Sequence, residues 1–328
     1  MDALADLLDG VQARSAAFCR TVLVPPWALR IADHAPLALA TPLRGHAWVV
    51  DAGSTYRVGP GDVAVVTGSR PYVVADDPAT PADVVVHAGN RVTTLDGREV
   101  TTLDPPGGEV PERAGIVASG TYRVTGDVGA RLLAALPRVL VVPAHDVAGG
   151  VMDLLAAELA HERPGQQVAL DRLLDLALLT TLRAWFTRPE AAAPGWYRAL
   201  GDPVVGRALR LLHGAPSRQW TVESLAREVG SSRAAFARRF REHVGEPPLT
   251  YLTTWRLTLA ADLLQRTDRT LESIAREVGY SSGFALSGAF RRVRGVSPRD
   301  HRTARAALRD EAAVTRTALG EVTAAARR

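Results

Sequence analysis

Arginine is frequent in the segment SSRAAFARRFREHVG, residues 231–245. Its apolar residues recur at helical spacing, so a helix over 232–243 turns Arg233, Arg238 and Arg241 to its outer side. A guanidinium group is a planar fork of N–H donors that matches a phosphate or the two acceptors on the major-groove edge of guanine. These residues therefore favour recognition of a polyanion over catalysis, with solvated or salt-bridged surface arginines as the alternative.

A duplicated segment precedes this helix and recurs further along the chain. Residues 221–230 read TVESLAREVG and residues 270–279 read TLESIAREVG, identical at eight of ten positions. Each copy starts with Thr, a good N-cap, carries Glu in its first turn, and ends in Gly, which closes helices in the left-handed conformation. A short turn and a second helix follow each copy, so the sequence predicts two helix-turn-helix units, whose second helices fit the DNA major groove.

A long amphipathic segment joins the two units. Residues 248–267 place Tyr251, Trp255 and Leu259 among apolar positions at helical spacing. A helix of about 17 residues is roughly 25 Å long. That length can hold two recognition helices near one DNA turn (about 34 Å) apart, so that one chain could read two successive major grooves.

Charge divides the chain of 328 residues into two halves. Residues 1–200 carry 17 Arg and 22 Asp or Glu, a net charge of −5, whereas residues 201–328 carry 22 Arg and 13 Asp or Glu, a net charge of +9. The length suggests two domains, at roughly 100–200 residues each. A basic half beside an acidic half predicts a polyanion-binding domain joined to a domain with another role.

Composition excludes several other classes of protein. The apolar fraction of 47% excludes a disordered chain, and the single cysteine, Cys19, excludes a disulfide scaffold and fits a reducing compartment. We find no stretch of about 18 uncharged apolar residues, so no membrane span is expected. The acidic start MDALADLLDG predicts a helix rather than a signal peptide.

The acidic half begins with β segments and ends with helices. Short runs rich in Val, Thr and Tyr recur up to about residue 126, with Gly and Pro between them, which predicts an antiparallel sandwich or barrel. The sequence Gly59-Pro60-Gly61-Asp62 predicts a tight turn. Residues 151–162 and 167–186 are predicted helices, and the leucine stripe of the second packs on its own domain or on a partner helix.

The basic half resembles a known family. Residues 204–302 resemble the DNA-binding domain of the AraC/XylS family of bacterial transcription regulators through LAREVG, FARRFREHVGEPP, YLTTWRLTLAADLL, IAREVGYSS, AFRRVRGVSP and the closing HR. The acidic half resembles the cupin-like sensing domains of that family through less specific features. The resemblance implies an α+β chain, with an N-terminal cupin-like antiparallel β-barrel, trailing helices, and a C-terminal all-α domain with two helix-turn-helix units.

The resemblance also implies domain boundaries. We expect a sensing and dimerisation domain over 1–190, a linker over 191–203, the DNA-binding domain over 204–310 with helix-turn-helix units near 222–243 and 271–293, and an Ala/Arg-rich tail over 311–328.

The resemblance places the DNA contacts at the second helix of each unit. The expected residues are Ser232, Arg233, Ala234, Ala237, Arg238 and Arg241 in the first unit and Ser282, Gly283, Phe284, Ser287, Arg291 and Arg292 in the second. Arg238 is the candidate for a bidentate contact to guanine, whereas Arg233 and Arg241 suit phosphates. Because the second set is nearly without polar side chains before Arg291, we expect the first unit to supply most base readout and the second to supply backbone affinity and shape sensing.

A cupin-type domain implies a small-molecule effector inside the barrel. The candidate residues are Trp27, His34, His46, Trp48, Tyr72 and His87. The metal-binding cupin pattern has two His one residue apart, then a Glu and a further His, whereas here His46 is followed by Ala47-Trp48. No metal or other cofactor is therefore expected, and binding of a metal by scattered histidines is the alternative.

The expected function is that of a DNA-binding transcription regulator rather than an enzyme, since no nucleophile elbow, phosphate-binding Gly loop, HExxH or CxxC occurs. The resemblance implies an effector-responsive homodimer in the bacterial cytoplasm, associated with the nucleoid at promoters, that contacts double-stranded DNA and RNA polymerase and activates rather than represses. Two alternatives stay open: a cupin-fold metal-dependent enzyme fused to a DNA-binding domain, and an effector-independent DNA-binding protein.

Overall fold

The computed structural model describes residues 3–9, 11–12, 19–104, 110–147, 149–161, 163–191 and 193–303. The predicted tail over 311–328 lies outside the described residues. The chain divides into two compact units. The sheet unit contains Leu8–Thr125 and Gly129–Ala193, and the helical unit contains Met1–Leu7, Gly126–Val128 and Pro194–Arg328.

Strands occupy the first part of the chain and helices most of the rest. The strands of the described ranges are β1 (Val11–Gln12), β2 (Cys19–Leu23), β3 (Ala28–Ala32), β4 (Leu37–Arg44), β5 (Ala47–Asp51), β6 (Ser54–Val58), β7 (Val63–Thr67), β8 (Tyr72–Ala75), β9 (Val84–His87), β10 (Val92–Thr94), β11 (Glu99–Val100), β12 (Gly115–Val124) and β13 (Val139–Val142). The α-helices are α1 (Ala3–Asp9), α2 (Gly126–Leu133), α3 (Val151–Leu159), α4 (Gln166–Thr187), α5 (Gly195–Ala199), α6 (Val205–Gly214), α7 (Val222–Glu228), α8 (Arg233–Val244), α9 (Pro248–Arg266), α10 (Leu271–Val278) and α11 (Gly283–Arg294).

The strands form two sheets. One has the order β1-β12-β4-β7-β13, with β2 also paired to β12, and the other has the order β11-β10-β9-β3-β8-β5-β6. Among the described strands the pairings are antiparallel except for the parallel pair β3 and β9. The predicted mixed α+β class is confirmed, with two separate sheets of a jelly roll in place of one closed barrel.

Side chains from both sheets form the core of the sheet unit. Val49 and Val58 of one sheet pack with Ala64, Val66 and Val139 of the other in a single buried cluster. Strand β5 alternates between buried and half-buried positions, because one face of its sheet meets the core, whereas β7 is buried at every position. Burial of each valine side chain contributes about 1.5–3 kcal/mol, so these contacts hold the sheets together.

The predicted tight turn connects β6 to β7. The amide of Asp62 donates to the carbonyl of Gly59 at 3.1 Å, and the Asp62 carboxylate accepts from the Gly59 amide at 2.8 Å. Gly61 has φ of +78°, a conformation that favours glycine.

The leucine stripe of α4 packs mainly inside the sheet unit. Its buried residues are Leu170, Leu174, Ala177, Leu178, Thr181, Leu182 and Phe186. The hydroxyl of Tyr122, on β12, donates to the carbonyl of Leu174 at 2.8 Å and so ties this helix to the sheet. In the segment predicted as a linker, helix α5 buries Trp196 and Ala199.

The helical unit has two cores joined by α9, which confirms the predicted long helix to within one residue of its end. In the first core, the rings of Phe236, Phe240 and Tyr251 meet edge to face, with centroid separations of 5.7 and 6.0 Å. In the second, Ile274 and Phe290 belong to a buried cluster that includes the later part of α9.

A buried histidine anchors α1 within the helical unit. The Nδ1 atom of His213, on α6, lies 2.7 Å from the Asp6 carboxylate, and its Nε2 atom lies 2.7 Å from the Tyr251 hydroxyl. The imidazole ring also stacks on Trp255, at 4.3 Å between centroids. Both ring nitrogens therefore have partners, as a buried polar group requires.

Candidate nucleic-acid interface

The two copies of the duplicated segment are capped as predicted. The Thr221 hydroxyl accepts from the Ser224 amide at 3.0 Å, and Ser224 in turn accepts from the Thr221 amide at 2.9 Å, which completes a capping box. The Thr270 hydroxyl accepts from the Ser273 amide at 3.2 Å. These caps fix the start of α7 and α10, and thereby the position of the turn that leads to each second helix.

The first recognition helix, α8, presents a cationic face. The Ser232 hydroxyl caps it by accepting from the Ala235 amide at 3.3 Å. Arg233, Ala234, Arg238 and Arg241 are exposed, and Ala237 is half-buried. The side chain of Arg238 is 76% exposed, and its Nε atom lies 3.8 Å from the Glu242 carboxylate, one turn further along the helix. Such a surface ion pair is weak, so the Arg238 guanidinium can exchange it for another acceptor.

Asp202, which sequence reasoning missed, holds α8 in place. Its buried carboxylate accepts from Arg239 at 2.6 Å (Nη2) and 3.0 Å (Nε), and lies 3.5 Å from His243. It also accepts from the amides of Val204 and Val205, at 3.0 and 2.8 Å. Desolvation tends to raise the pKa of Asp202, but the hydrogen bonds from these amides and from Arg239 outweigh it and keep that pKa below its ordinary value.

The second recognition helix, α11, presents a nearly neutral face. Ser282 caps it by accepting from the Ala285 amide at 3.2 Å. Phe284 is 90% exposed. Ser287 is half-buried, whereas Arg291 and Arg292 are exposed near the end of the helix.

Two residues of α11, Gly283 and Arg294, have surroundings that sequence reasoning did not predict. Gly283 is buried, and its amide donates to the Glu272 carboxylate at 2.6 Å, so Gly283 lies away from the exposed face. Arg294 forms an ion pair with Asp127, and desolvation lowers the pKa of Arg294.

A second feature missed by sequence reasoning joins the two helix-turn-helix units. Arg256, in the middle of α9, donates from Nε to the carbonyl of Pro216 and from Nη2 to that of Arg218, both at 2.8 Å. Gln219, in the same loop, donates to the carbonyl of Gly279 at 3.0 Å, and the Arg256 guanidinium lies 6.0 Å from the centroid of the Tyr280 ring. The loop before α7 is therefore tied to the turn between α10 and α11. Burial lowers the pKa of Arg256, since the charged form is desolvated.

A cavity of about 260 Å³ lies between the sheets of the sheet unit. Of the six effector candidates, Trp27 and Tyr72 line this cavity. Its polar lining includes Arg20, Asp33 and Asp104, which sequence reasoning did not single out.

The other four effector candidates do not line the cavity. Trp48 alternates with the buried residues of β5 and so lies on the outer face of its strand, and His46 is exposed in the turn before it. His34 is exposed, with Nδ1 at 3.0 Å from the Ser69 carbonyl oxygen. The Nε2 atom of His87 lies 2.9 Å from the Thr93 hydroxyl.

Within the described part of the chain, no group of three or more His, Cys, Asp or Glu side chains is arranged to hold a metal ion. Its helices include none with the length and apolar character needed to cross a bilayer.

The chain is similar to known regulators over both halves. A cupin family matches residues 2–187, and a helix-turn-helix domain family matches residues 225–304. An AraC-like transcription regulator of Streptomyces lividans is 33% identical over 309 residues, which cover 92% of this chain and 98% of that protein. The HTH-type transcriptional regulator AlkR of Acinetobacter baylyi is 27% identical over 92% of this chain and 99% of its own length.

Among solved structures, the DNA-binding domain of AdpA, a global transcriptional factor in complex with a target DNA, is 36% identical. The match covers 34% of this chain and 98% of that one, with a TM-score of 0.32. Since the Streptomyces relative matches nearly the full length, and the cupin and helix-turn-helix families match successive parts, the chain belongs to the AraC family of DNA-binding transcription regulators.

Proposed function

We propose that this regulator responds to an effector, and that a small molecule in the sheet unit changes the affinity of the helical unit for its DNA site. The observation that carries the proposal is the cavity of about 260 Å³ between the sheets. This volume is close to the lower end of the roughly 300–1,000 Å³ that small-molecule pockets span. Mainly apolar walls with a few convergent polar groups are typical of small-molecule sites, so the proposal assigns the cavity to binding and not to catalysis.

The proposal assigns most base readout to α8. Arg238 is exposed and only weakly paired, so it can donate two hydrogen bonds to guanine. Arg233 and Arg241 bind phosphates on either side, and Ala234 and Ala237 leave room for the helix to approach the bases. In the second unit, Ser282, Phe284 and Ser287 face the groove and Arg291 and Arg292 bind the backbone.

The proposal also includes a homodimer that activates transcription. Leu154 of α3 and Val168 and Leu176 of α4 are exposed apolar residues on the two helices that follow the sheets. A second copy of the chain would cover them and so remove their apolar surface from water. The dimer would act at promoters, next to RNA polymerase, in the cytoplasm.

DNA selection from a random-sequence library by the full chain tests the DNA-binding part. We expect one enriched site, bound on the order of 10³-fold or more tightly than a scrambled duplex of equal length. Affinity should fall steeply with salt, because arginine–phosphate contacts release counterions. No enrichment, or an affinity independent of salt, would contradict the proposal.

A reporter gene placed behind the selected site tests the regulatory part. We expect expression to rise when the chain is supplied, and to change again when the cavity is occupied. A fall in expression would replace activation by repression. Expression that is the same with every candidate effector, although the site is occupied, would identify an effector-independent regulator.

A further inference from the structure

The cavity of the sheet unit has a polar corner formed by Asp33 and Tyr72. Tyr72, the first residue of β8, pairs with Ile31 of β3, and Asp33 follows directly after that strand. Side chains two residues apart on a strand face the same side, which explains why Ile31 and Asp33 both line the cavity. The carboxylate and the phenol hydroxyl thus face the same ligand space.

Both groups keep the capacity for further hydrogen bonds. Oδ1 of Asp33 accepts from the Ala35 amide at 3.0 Å, which leaves Oδ2 for a ligand. The Tyr72 hydroxyl has no hydrogen-bond partner within the described ranges. Burial and the nearby charge of Asp33 raise the pKa of Tyr72, and the charge of Arg138 opposes them with a smaller effect. The Tyr72 hydroxyl therefore stays protonated. A purely apolar ligand would leave both groups desolvated and unpaired, which is costly.

The charges that line the cavity favour a cation at this corner. They are Arg20, Asp33 and Asp104. The Asp104 carboxylate accepts from the Val22 amide at 2.8 Å, which places it two residues along β2 from Arg20. Arg20 and Asp104 thus belong to the same end of the cavity, where their opposite charges offset each other in part. One Arg and two Asp side chains give the lining a net charge of −1, so a cationic ligand beside Asp33 would balance that charge.

We propose that the cavity binds a small organic amine, whose protonated nitrogen pairs with Asp33 and Tyr72 and whose apolar body packs beside Trp27. The apolar walls, which include Leu29, Val74 and Val117, suit an aromatic or branched aliphatic body. This inference rests on the proposed effector response, because it names the chemical class of the effector for the same cavity.

Calorimetric titration of the full chain with three probes of matched shape tests the proposal: 2-phenylethylamine, 2-phenylethanol and 3-phenylpropanoate. We expect the amine to bind about tenfold or more tightly than the alcohol, because hydrogen bonds to charged groups are stronger than neutral ones, and the carboxylate to bind most weakly. Asp33→Asn keeps an acceptor for the Ala35 amide and should remove the amine preference while changing alcohol affinity by less than about threefold. Tyr72→Phe should weaken the binding of the amine and of the alcohol by about two- to tenfold each. Asp96→Asn, which removes an exposed carboxylate outside the cavity, is the matched control.

Three results would overturn the proposal: equal or tighter binding of the carboxylate, an amine preference that survives Asp33→Asn, or no binding of any probe. The affinity of the same preparations for the selected DNA, with and without each probe, separates this proposal from the effector response. If the amine binds and DNA affinity does not change, the effector response fails and the ligand class stands. If the carboxylate changes DNA affinity and the amine does not, the effector response stands and the ligand class fails.

Discussion

The two helix-turn-helix units start from nearly the same ten residues, and their turns have different surroundings. Gly230 and Gly279 both end the duplicated segment with positive φ, +70° and +92°. A Cβ atom on Gly230 would meet nothing within 4 Å, whereas one on Gly279 would lie 2.7 Å from Cα of Ser217 and from Nη2 of Arg256. The same short sequence therefore forms an open turn in one unit and a packed joint in the other.

The glutamate that the two copies share, Glu223 in the first and Glu272 in the second, also has different contacts. Glu272 accepts from the amide of Gly283 at 2.6 Å and so fixes the start of the second recognition helix. Both glutamates also lie near the arginine one turn further along their helix, Glu223 at 3.9 Å from Arg227 and Glu272 at 3.7 Å from Arg276, so the bond to the Gly283 amide is what distinguishes Glu272. In the second unit, Gly279 packs against the loop before α7 and Glu272 holds the start of α11, whereas the matching positions of the first unit make no such contacts in the described residues. Two copies of one local sequence therefore lie in different surroundings.

The largest expected effect separates the two turn glycines. Gly230→Ala should lower the free energy of unfolding by about 1–2 kcal/mol, the cost of a left-handed conformation for a residue with Cβ. Gly279→Ala carries the same cost and also overpacks the joint at Ser217 and Arg256, so we expect a loss of about 2–5 kcal/mol. Urea midpoints of the full-length variants, measured by circular dichroism, check the order. Equal shifts for the two variants would show that the joint is not packed as described.

The next effect compares base readout by the two recognition helices. Arg238→Ala should lower affinity for the selected DNA by about 5–150-fold, the range for loss of a bidentate guanine contact, and should relax the preference at one base pair. Ser287→Ala, on α11, should change affinity by less than about threefold.

Arg98→Ala is the matched control for the loss of charge. Its side chain is 81% exposed and pairs with Asp96 in the sheet unit. A repeated DNA selection with each variant gives the base preference. A loss of specificity in Ser287→Ala that equals the loss in Arg238→Ala would remove the distinction between the two units.

Sequence reasoning was sufficient where the structure depends on neighbours along the chain. The Thr caps and the extent of α9 follow from residue type and helical spacing, so they could be predicted. Asp202 and Arg256 could not, because their partners lie about forty residues away and only the folded chain brings them together.

The cavity shows the same limit of local patterns in the sheet unit. Residue type alone predicted histidines and tryptophans as ligand-binding residues. A residue on a strand faces one side of the sheet or the other according to the register, and Trp48 lies on the outer side. Asp33 lies just after β3 and two residues from Ile31, so the two side chains face the same side. Only the pairing of Ile31 with Tyr72 of β8 shows that Asp33 lies near Tyr72. Its carboxylate could be found from sequence only if the strand register were already known.

A smaller effect concerns the exposed aromatic ring of the second unit. Because Phe284 is 90% exposed, Phe284→Ala should change stability by no more than about 0.5 kcal/mol. If the ring packs on a thymine methyl group in the groove, the variant should lose on the order of 1 kcal/mol of DNA binding. Replacing thymines of the selected site by deoxyuridine removes the methyl groups, so it should weaken the wild-type chain and leave the variant unchanged. If both chains respond equally, the ring does not read thymine.

The smallest expected effect concerns the carboxylate that holds the first recognition helix. Asp202→Asn retains an acceptor for the Val204 and Val205 amides and loses the charge that faces Arg239. Because Arg239 is about half exposed, we expect the free energy of unfolding to fall by about 1 kcal/mol or less at neutral pH. The pKa of Asp202 is lowered in the folded chain. The carboxylate therefore contributes fully to the free energy of unfolding above its unfolded pKa near 3.8, and this contribution disappears as the pH falls through the lower folded pKa. Urea midpoints of the wild type and the variant should therefore differ by a constant amount between about pH 5 and 8 and converge below about pH 4. If the difference between the urea midpoints of the wild type and Asp202→Asn grows in acid, the Asp202 carboxylate does not anchor α8 by its charge.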